Sequence, residues 1–235
     1  MADHTPLLIL WDIDHTLVSI KGVSREIYSR AFEQVTGRQM EHLADMTGRT
    51  EKAIITETLA PNGVEPEGFF DAFYAALGEA ARSLEPAMRE HGRALLGAGE
   101  AIAAFATAGY VQSVVTGNIR SIAVTKLEAF DLHEHIDFEV GGYGDDGSDR
   151  AVLVRLAVER TAAKYNHGFK AEHAIVIGDT PHDIRGALDN EALAVGVATG
   201  GSDFAELTAA GAGLVLSNLE DIEQLHQAIQ ARRAN

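Results

Sequence analysis

Two aspartates one residue apart end the apolar run Leu7-Leu8-Ile9-Leu10-Trp11, giving Asp12-Ile13-Asp14-His15-Thr16-Leu17. Acids at this spacing can hold a hard metal ion beside a nucleophile. A second acid pair follows the apolar run Ala174-Ile175-Val176-Ile177, in Gly178-Asp179-Thr180-Pro181-His182-Asp183. Between the two, Val114-Val115 leads into Thr116-Gly117-Asn118, a hydroxyl followed by a turn. Each run reads as a buried strand with an oxygen-bearing tip. Open α/β sheets bind ligands at the carboxyl ends of their strands.

These tips need elements to position them. After the first strand, Val23, Ile27, Tyr28, Ala31, Phe32 and Val35 recur at helical spacing up to Gly37. A second helix is expected from about Thr50 to Pro61-Asn62-Gly63, and a third through Phe69, Phe70, Phe73, Tyr74 and Leu77 toward Leu84. From Ala94 onward helices and strands alternate, with strands expected at 110–115, 138–140, 174–177, 192–197 and 214–216. The helices between and after them are expected at 99–108, 119–130, 150–165, 184–190 and 219–231. Alternation of this kind predicts an α/β fold with a doubly wound parallel sheet. The expected division is a core of residues 1–18 and 91–235, with an all-helical insertion at 19–90.

The order Asp-x-Asp-x-Thr, strand-end Thr, Gly-Asp-x-x-x-Asp resembles the haloacid dehalogenase superfamily, and within it the Mg²⁺-dependent phosphatases of the phosphoglycolate phosphatase type. The resemblance covers nearly the whole chain and implies that the helical insertion is a mobile cap. It implies hydrolysis of a small phosphomonoester, with Asp12 as nucleophile and Asp14 as the acid and base that exchanges protons. Asp14 would then have to be protonated when substrate arrives, and neighbouring negative charge is expected to raise its pKa. Mg²⁺ would take Asp12, the main-chain carbonyl of Asp14, and Asp179, with Asp183 acting directly or through water. Thr116 and the amides of Gly117 and Asn118 would donate to phosphoryl oxygens.

The resemblance also calls for a base, usually lysine, ahead of the helix that precedes the second acid cluster. Asp149-Arg150 stands there instead. Arg150 is expected to pair with Asp12 and the phosphoryl group, because a guanidinium bridges several oxygens. Lys126 competes for this role, but its place within a helix reads as structural or surface. In the insertion, Arg49 of Gly48-Arg49-Thr50 is a candidate for a substrate's distal anion, and His15 for the leaving group or the entrance. Thr16 is expected to shape the turn.

Each of these has a plainer reading. Asp12 and Asp14 could cap a turn, and Asp179 and Asp183 could be helix N-terminal acids. Thr116 could be a turn residue, and Arg49 and Arg150 solvated arginines. His182, His133 and His135 read as surface histidines. Gly141-Gly142-Tyr143-Gly144 lacks the spacing of a nucleotide loop and reads as a connection toward Arg150.

The chain has 235 residues, 46% of them hydrophobic, enough for a sizeable core. Its 35 acidic and 19 basic residues give a formal charge of −16, which disfavours nucleic acid and anionic membrane as partners. A small phosphorylated metabolite is the expected partner. Cysteine is absent, so thiolate chemistry and thiol-based zinc sites are excluded. No leader or spanning segment is read near the N-terminus, and the expectation is a cytoplasmic monomer or homodimer. A sugar phosphomutase, a 2-haloacid dehalogenase, a phosphonate hydrolase and a non-catalytic binding protein are the rivals. Asp14 argues against the dehalogenase, and a phosphonate hydrolase would need a cap lysine, Lys21 or Lys52.

Overall fold

Four successive apolar residues, Leu8–Trp11, form strand β1, and all four are buried because helices cover both faces of its sheet. The computed structural model describes residues 6–65, 68–165 and 168–233. After β1 come β2 (Val18–Ser19) and four helices: α1 (Val23–Thr36), α2 (Glu51–Leu59), α3 (Phe70–Ser83) and α4 (Glu85–His91). Then follow β3 (Arg93–Ala94), α5 (Ala98–Thr107), β4 (Val111–Val114), α6 (Arg120–Ala129), α7 (Arg150–Tyr165) and β5 (Ala174–Gly178). The chain closes with α8 (Pro181–Leu188), β6 (Leu193–Val197), α9 (Phe204–Ala209), β7 (Leu214–Leu216) and α10 (Ile222–Arg233).

Five strands pair in parallel in the order β4-β1-β5-β6-β7. Residues of β1 alternate between two cores, as the two-residue period of a strand requires. Ile9 and Trp11 join Phe105 of α5, Leu127 of α6 and Leu225 of α10, whereas Leu8 and Leu10 join Leu153 of α7, Ile184 of α8 and Leu207 of α9. The register sets Trp11 beside both Val114 and Ile177, so the next residues of all three strands emerge at one edge. This is an α/β fold with a doubly wound parallel sheet.

The helices α1 to α4 gather around a third apolar cluster, in which Ile27, Phe32, Leu59, Phe73 and Leu77 are buried. Ile119, Ile122 and Ala129, from α6 and its start, complete that cluster. The chain enters and leaves this helical block through an antiparallel pairing of β2 with β3. The apolar residues of the third helix turn inward: Phe73, Ala76 and Leu77 are buried, Phe70 and Tyr74 are half-buried, and only Ala72 and Ala75 stand exposed.

Two expectations are corrected. Residues 138–140 form a turn rather than a strand, because Asp137 N–H bonds Gln112 O and the Tyr143 hydroxyl donates to Phe138 O. Beyond β4, pairing among the described residues is limited to a single Val115–Gly142 bridge. Helix α8 starts at Pro181, not 184, since Thr180 and Asp183 cap each other reciprocally and proline is suited to the first helical position.

Candidate active site

Each strand tip ends where its backbone ladder stops and its side chains face a cavity of about 210 Å³ between the sheet edge and the helical block. Asp12 and Asp14 come from the tip of β1, Thr116 to Asn118 from that of β4, and Asp179 from that of β5. Arg150 arrives from the first residue of α7.

Asp12, Asp179 and Asp183 are buried, and each presents an oxygen within 4.8 Å of the others. Asp183 lies at the start of α8, where Thr180 N–H and hydroxyl both donate to its Oδ2, at 3.1 and 2.7 Å. Its Oδ1 is buried and accepts no hydrogen bond. Arg150 Nε stands 3.1 Å from that oxygen, and Arg150 Nη1 lies 3.4 Å from Asp12 Oδ1 while donating to Val115 O. Thr16 Oγ1 reaches Asp12 Oδ2 at 3.4 Å and Asp179 Oδ1 at 3.5 Å. A Cβ at Gly200 would overlap the carboxylate of Asp179, so a side chain there would displace that acid.

One guanidinium among three buried acids leaves excess negative charge. Burial, then the charges of Asp183, Asp179 and Asp14, hold the Asp12 carboxyl well above the usual range, and Arg150 offsets this only in part. Burial and the same neighbours push Asp179 up to about 8. An all-oxygen cluster with an unsatisfied buried oxygen has the chemistry of a divalent-cation site, since hard cations take carboxylates and compensate their repulsion. The three aspartates can bind one.

Asp14 is held differently, and against expectation. Burial works to raise its pKa, but the charge and hydrogen bond of Lys126 and the amide of Asn118 outweigh it and lower the value. Lys126 Nζ reaches both carboxylate oxygens, at 2.8 and 2.6 Å, and also Asn118 Oδ1 at 2.8 Å. Asn118 Nδ2 donates to Asp14 Oδ2 at 2.7 Å and to Thr116 Oγ1 at 2.9 Å. Lys126 is therefore a buried member of the site, not a surface residue. Its signal lay in the spacing Ile119, Ile122, Lys126, which puts the charge on the buried stripe of α6. Both basic candidates occupy the site, Arg150 on Asp12 and Lys126 on Asp14.

The other candidates divide. Gly117 packs against the main chain of Arg49, and its carbonyl accepts from Glu51 N–H at 2.8 Å. The Asn118 main-chain N–H turns to Thr116 Oγ1 at 3.3 Å, so this residue engages the site through its side chain. His15 has a positive φ of 63°, is exposed and lines the cavity mouth. Arg49 lines the cavity, but its guanidinium pairs with exposed Glu57 rather than with any site residue. Two buried polar residues of the cavity escaped the sequence reading, Tyr28 on α1 and Glu51 at the start of α2. Tyr28 read as one more apolar position in a helical repeat, and Glu51 was not singled out. Their inward direction depends on how the block docks.

A family model of haloacid dehalogenase-like hydrolases matches residues 9–197. No curated protein sequence matches the chain. Among solved structures, a hydrolase from Pseudomonas syringae is similar with a TM-score of 0.67 and 21% identity, over 95% of this chain and 98% of the other. A predicted phosphatase from Clostridium acetobutylicum is similar at a TM-score of 0.63 and 23% identity, covering 96% and 99%. A hydrolase from Deinococcus radiodurans with bound phosphate and sodium reaches 0.56 and 21%, covering 96% of each chain. At such identities the structural likeness concerns the fold, while the family match spans most of the sequence. With its strand-tip acids gathered at one sheet edge, this chain is an enzyme that belongs to the haloacid dehalogenase-like hydrolases.

Proposed function

We propose that the protein is a Mg²⁺-dependent phosphatase of a small phosphomonoester, working through an aspartyl-phosphate on Asp12. The observation that carries this reading is the convergence of Asp12, Asp179 and Asp183 within 4.8 Å, with Arg150 against Asp12. Mg²⁺, held by these carboxylates and the Asp14 carbonyl, would supply charge compensation that lets a phosphate approach an acid. An Asp12 oxygen attacks phosphorus, the ester P–O bond breaks, and Asp14 gives its proton to the departing alkoxide oxygen. Water then attacks the phosphorylated Asp12, Asp14 takes a proton from it, and inorganic phosphate leaves with Asp12 restored. Arg150 and the Thr116 hydroxyl orient the phosphoryl oxygens.

The lowered Asp14 pKa suits the second half-reaction, where a base is needed. Loading the proton for the first half falls to the arriving phosphate, whose negative charge raises the proton affinity of a nearby carboxylate. The helical block, residues 19–90 read as a cap, excludes water during transfer. Phosphate release from an aryl phosphate and a panel of small phosphomonoesters, with Mg²⁺ and with chelator, tests this against Asp12→Asn. Release should require both metal and Asp12; release by the variant would sink the mechanism. Incubation with a sugar 1-phosphate separates the mutase, which would yield isomer without free phosphate.

A further inference from the structure

The glycine-rich run Gly141-Gly142-Tyr143-Gly144 does more than carry the chain toward Arg150, because its main chain lies directly on that of the β4 tip. Gly142 N–H donates to Val114 O at 2.9 Å, Thr116 N–H donates to Gly142 O at 3.1 Å, and Gly144 N–H donates to Asn118 O at 2.9 Å. The loop thus flanks β4 on the side that faces away from β1. Glycine permits the approach: a Cβ would stand 2.2 Å from Leu153 O at position 142 and 1.7 Å from Gly117 O at position 144.

Two side chains close this loop. Arg160 Nη1 and Nη2 meet the Asp146 oxygens at 2.7 and 2.6 Å, Nη1 also donates to Gly141 O, and Asp146 Oδ2 accepts from Tyr143 N–H at 3.0 Å. Exposed ion pairs contribute little, but this one is bidentate, 35% and 20% exposed, and joined to two main-chain groups. The loop is thereby tied to α7, the helix whose first residue is Arg150. What it braces is chemical: the Asn118 amide donates to both Asp14 and Thr116 Oγ1. Resting on the phosphatase reading, we infer that Arg160 and Asp146 are positioning residues. They lock the loop against the Thr116–Asn118 turn and so hold the Thr116 hydroxyl and the Asn118 amide where phosphoryl transfer needs them. Neither side chain lines the cavity, so their loss should move kcat rather than KM.

The test compares aryl phosphate hydrolysis by wild type, Arg160→Ala, Arg160→Lys and Asp146→Asn, each assayed well below its melting temperature. Arg160→Ala should lower kcat about tenfold, short of the ~hundredfold cost of a full 1 Å misplacement, with KM within about twofold. Arg160→Lys should fall between it and wild type, because an ammonium lacks the planar fork that meets both Asp146 oxygens. Asp146→Asn keeps the side chain's size and loses the ion pair, and it is read in the same way if Arg160→Ala does not fold. In an Asn118→Ala background the Arg160→Ala loss should shrink, since the group it positions is gone. An undiminished loss there, a wild-type kcat in Arg160→Ala, or a loss confined to KM overturns the inference. Asp12-dependent turnover by wild type keeps the phosphatase reading standing in each of these cases. Should wild type hydrolyse no ester, that reading falls, and calorimetric titration with orthovanadate and Mg²⁺, a mimic of phosphorus in transfer, decides the positioning role. Weaker binding to Arg160→Ala is then expected; equal binding, or none to wild type, overturns it.

Discussion

Asp12 and Asp14 leave the same strand two residues apart, yet they sit in opposite electrostatic settings. Asp12 faces Asp179 and Asp183 with a shared arginine, and its proton affinity is raised. Asp14 faces Lys126 and Asn118, and its proton affinity is lowered. Neither environment comes from the local sequence: one is supplied from β5, α7 and α8, the other from α6 and the turn before it. Pairs of titratable groups pushed apart by their surroundings mark separate chemical roles. A nucleophile needs a cation to discharge it, and a proton carrier needs a fixed partner to aim it.

Removing the proposed nucleophile breaks this contrast most severely. Asp12→Asn should lower kcat by about a thousandfold or more, as loss of a covalent nucleophile does, with the circular dichroism spectrum unchanged. On the other side, Lys126→Met should lower kcat by about a hundredfold, the scale of a misaimed proton-transfer group. Lys126 lowers Asp14 below its ordinary 3.8, so their mutual stabilisation is fully present above that pH and lost as pH falls through the lower folded value. The melting gap between wild type and Lys126→Met should accordingly close on acidification; a constant gap would mean that Lys126 acts by packing alone.

Arg150→Ala probes the acid-rich side through stability. It strips buried Asp12 and Asp183 of their shared cation, and urea titration should register a loss of about 3–5 kcal/mol. pH sharpens the same point. Asp179 binds its proton up to about 8 in the folded chain, against 3.8 ordinarily, so the metal-free protein holds extra protons in that interval and loses stability as pH rises through it. Mg²⁺ should raise the melting temperature more at pH 8 than at pH 6; the reverse order would contradict a cation held by these carboxylates. The smallest effect is expected at the block's surface, where Glu57→Gln breaks only the Arg49 pair. Exposed pairs contribute little, so melting should stay within error.

Much of this was legible in the sequence because strand tips are local: an apolar run fixes the strand, and the next residues must emerge at its end. Helix α1 and helix α7 begin and end where the apolar spacing says. The surface alternative for Lys126 fails although a lone lysine in a helix usually extends to solvent; only its register with Ile119 and Ile122 says otherwise. Tyr28 and Glu51 were invisible as site residues, since their direction depends on how two separately packed clusters meet. The turn at 138–140 carried strand-like residues, but the tertiary hydrogen bonds of Asp137 N–H to Gln112 O and of the Tyr143 hydroxyl to Phe138 O overrode them.

The Glu51 N–H bond to Gly117 O is a main-chain link between the helical block and the β4 tip, the two walls of the cavity. A proton in such a bond exchanges with solvent only when the bond opens. Deuterium uptake at this single amide would therefore time how often the two walls separate, and a bound substrate that holds them together would lengthen the interval. The molecule thus carries its own clock for access to Asp12.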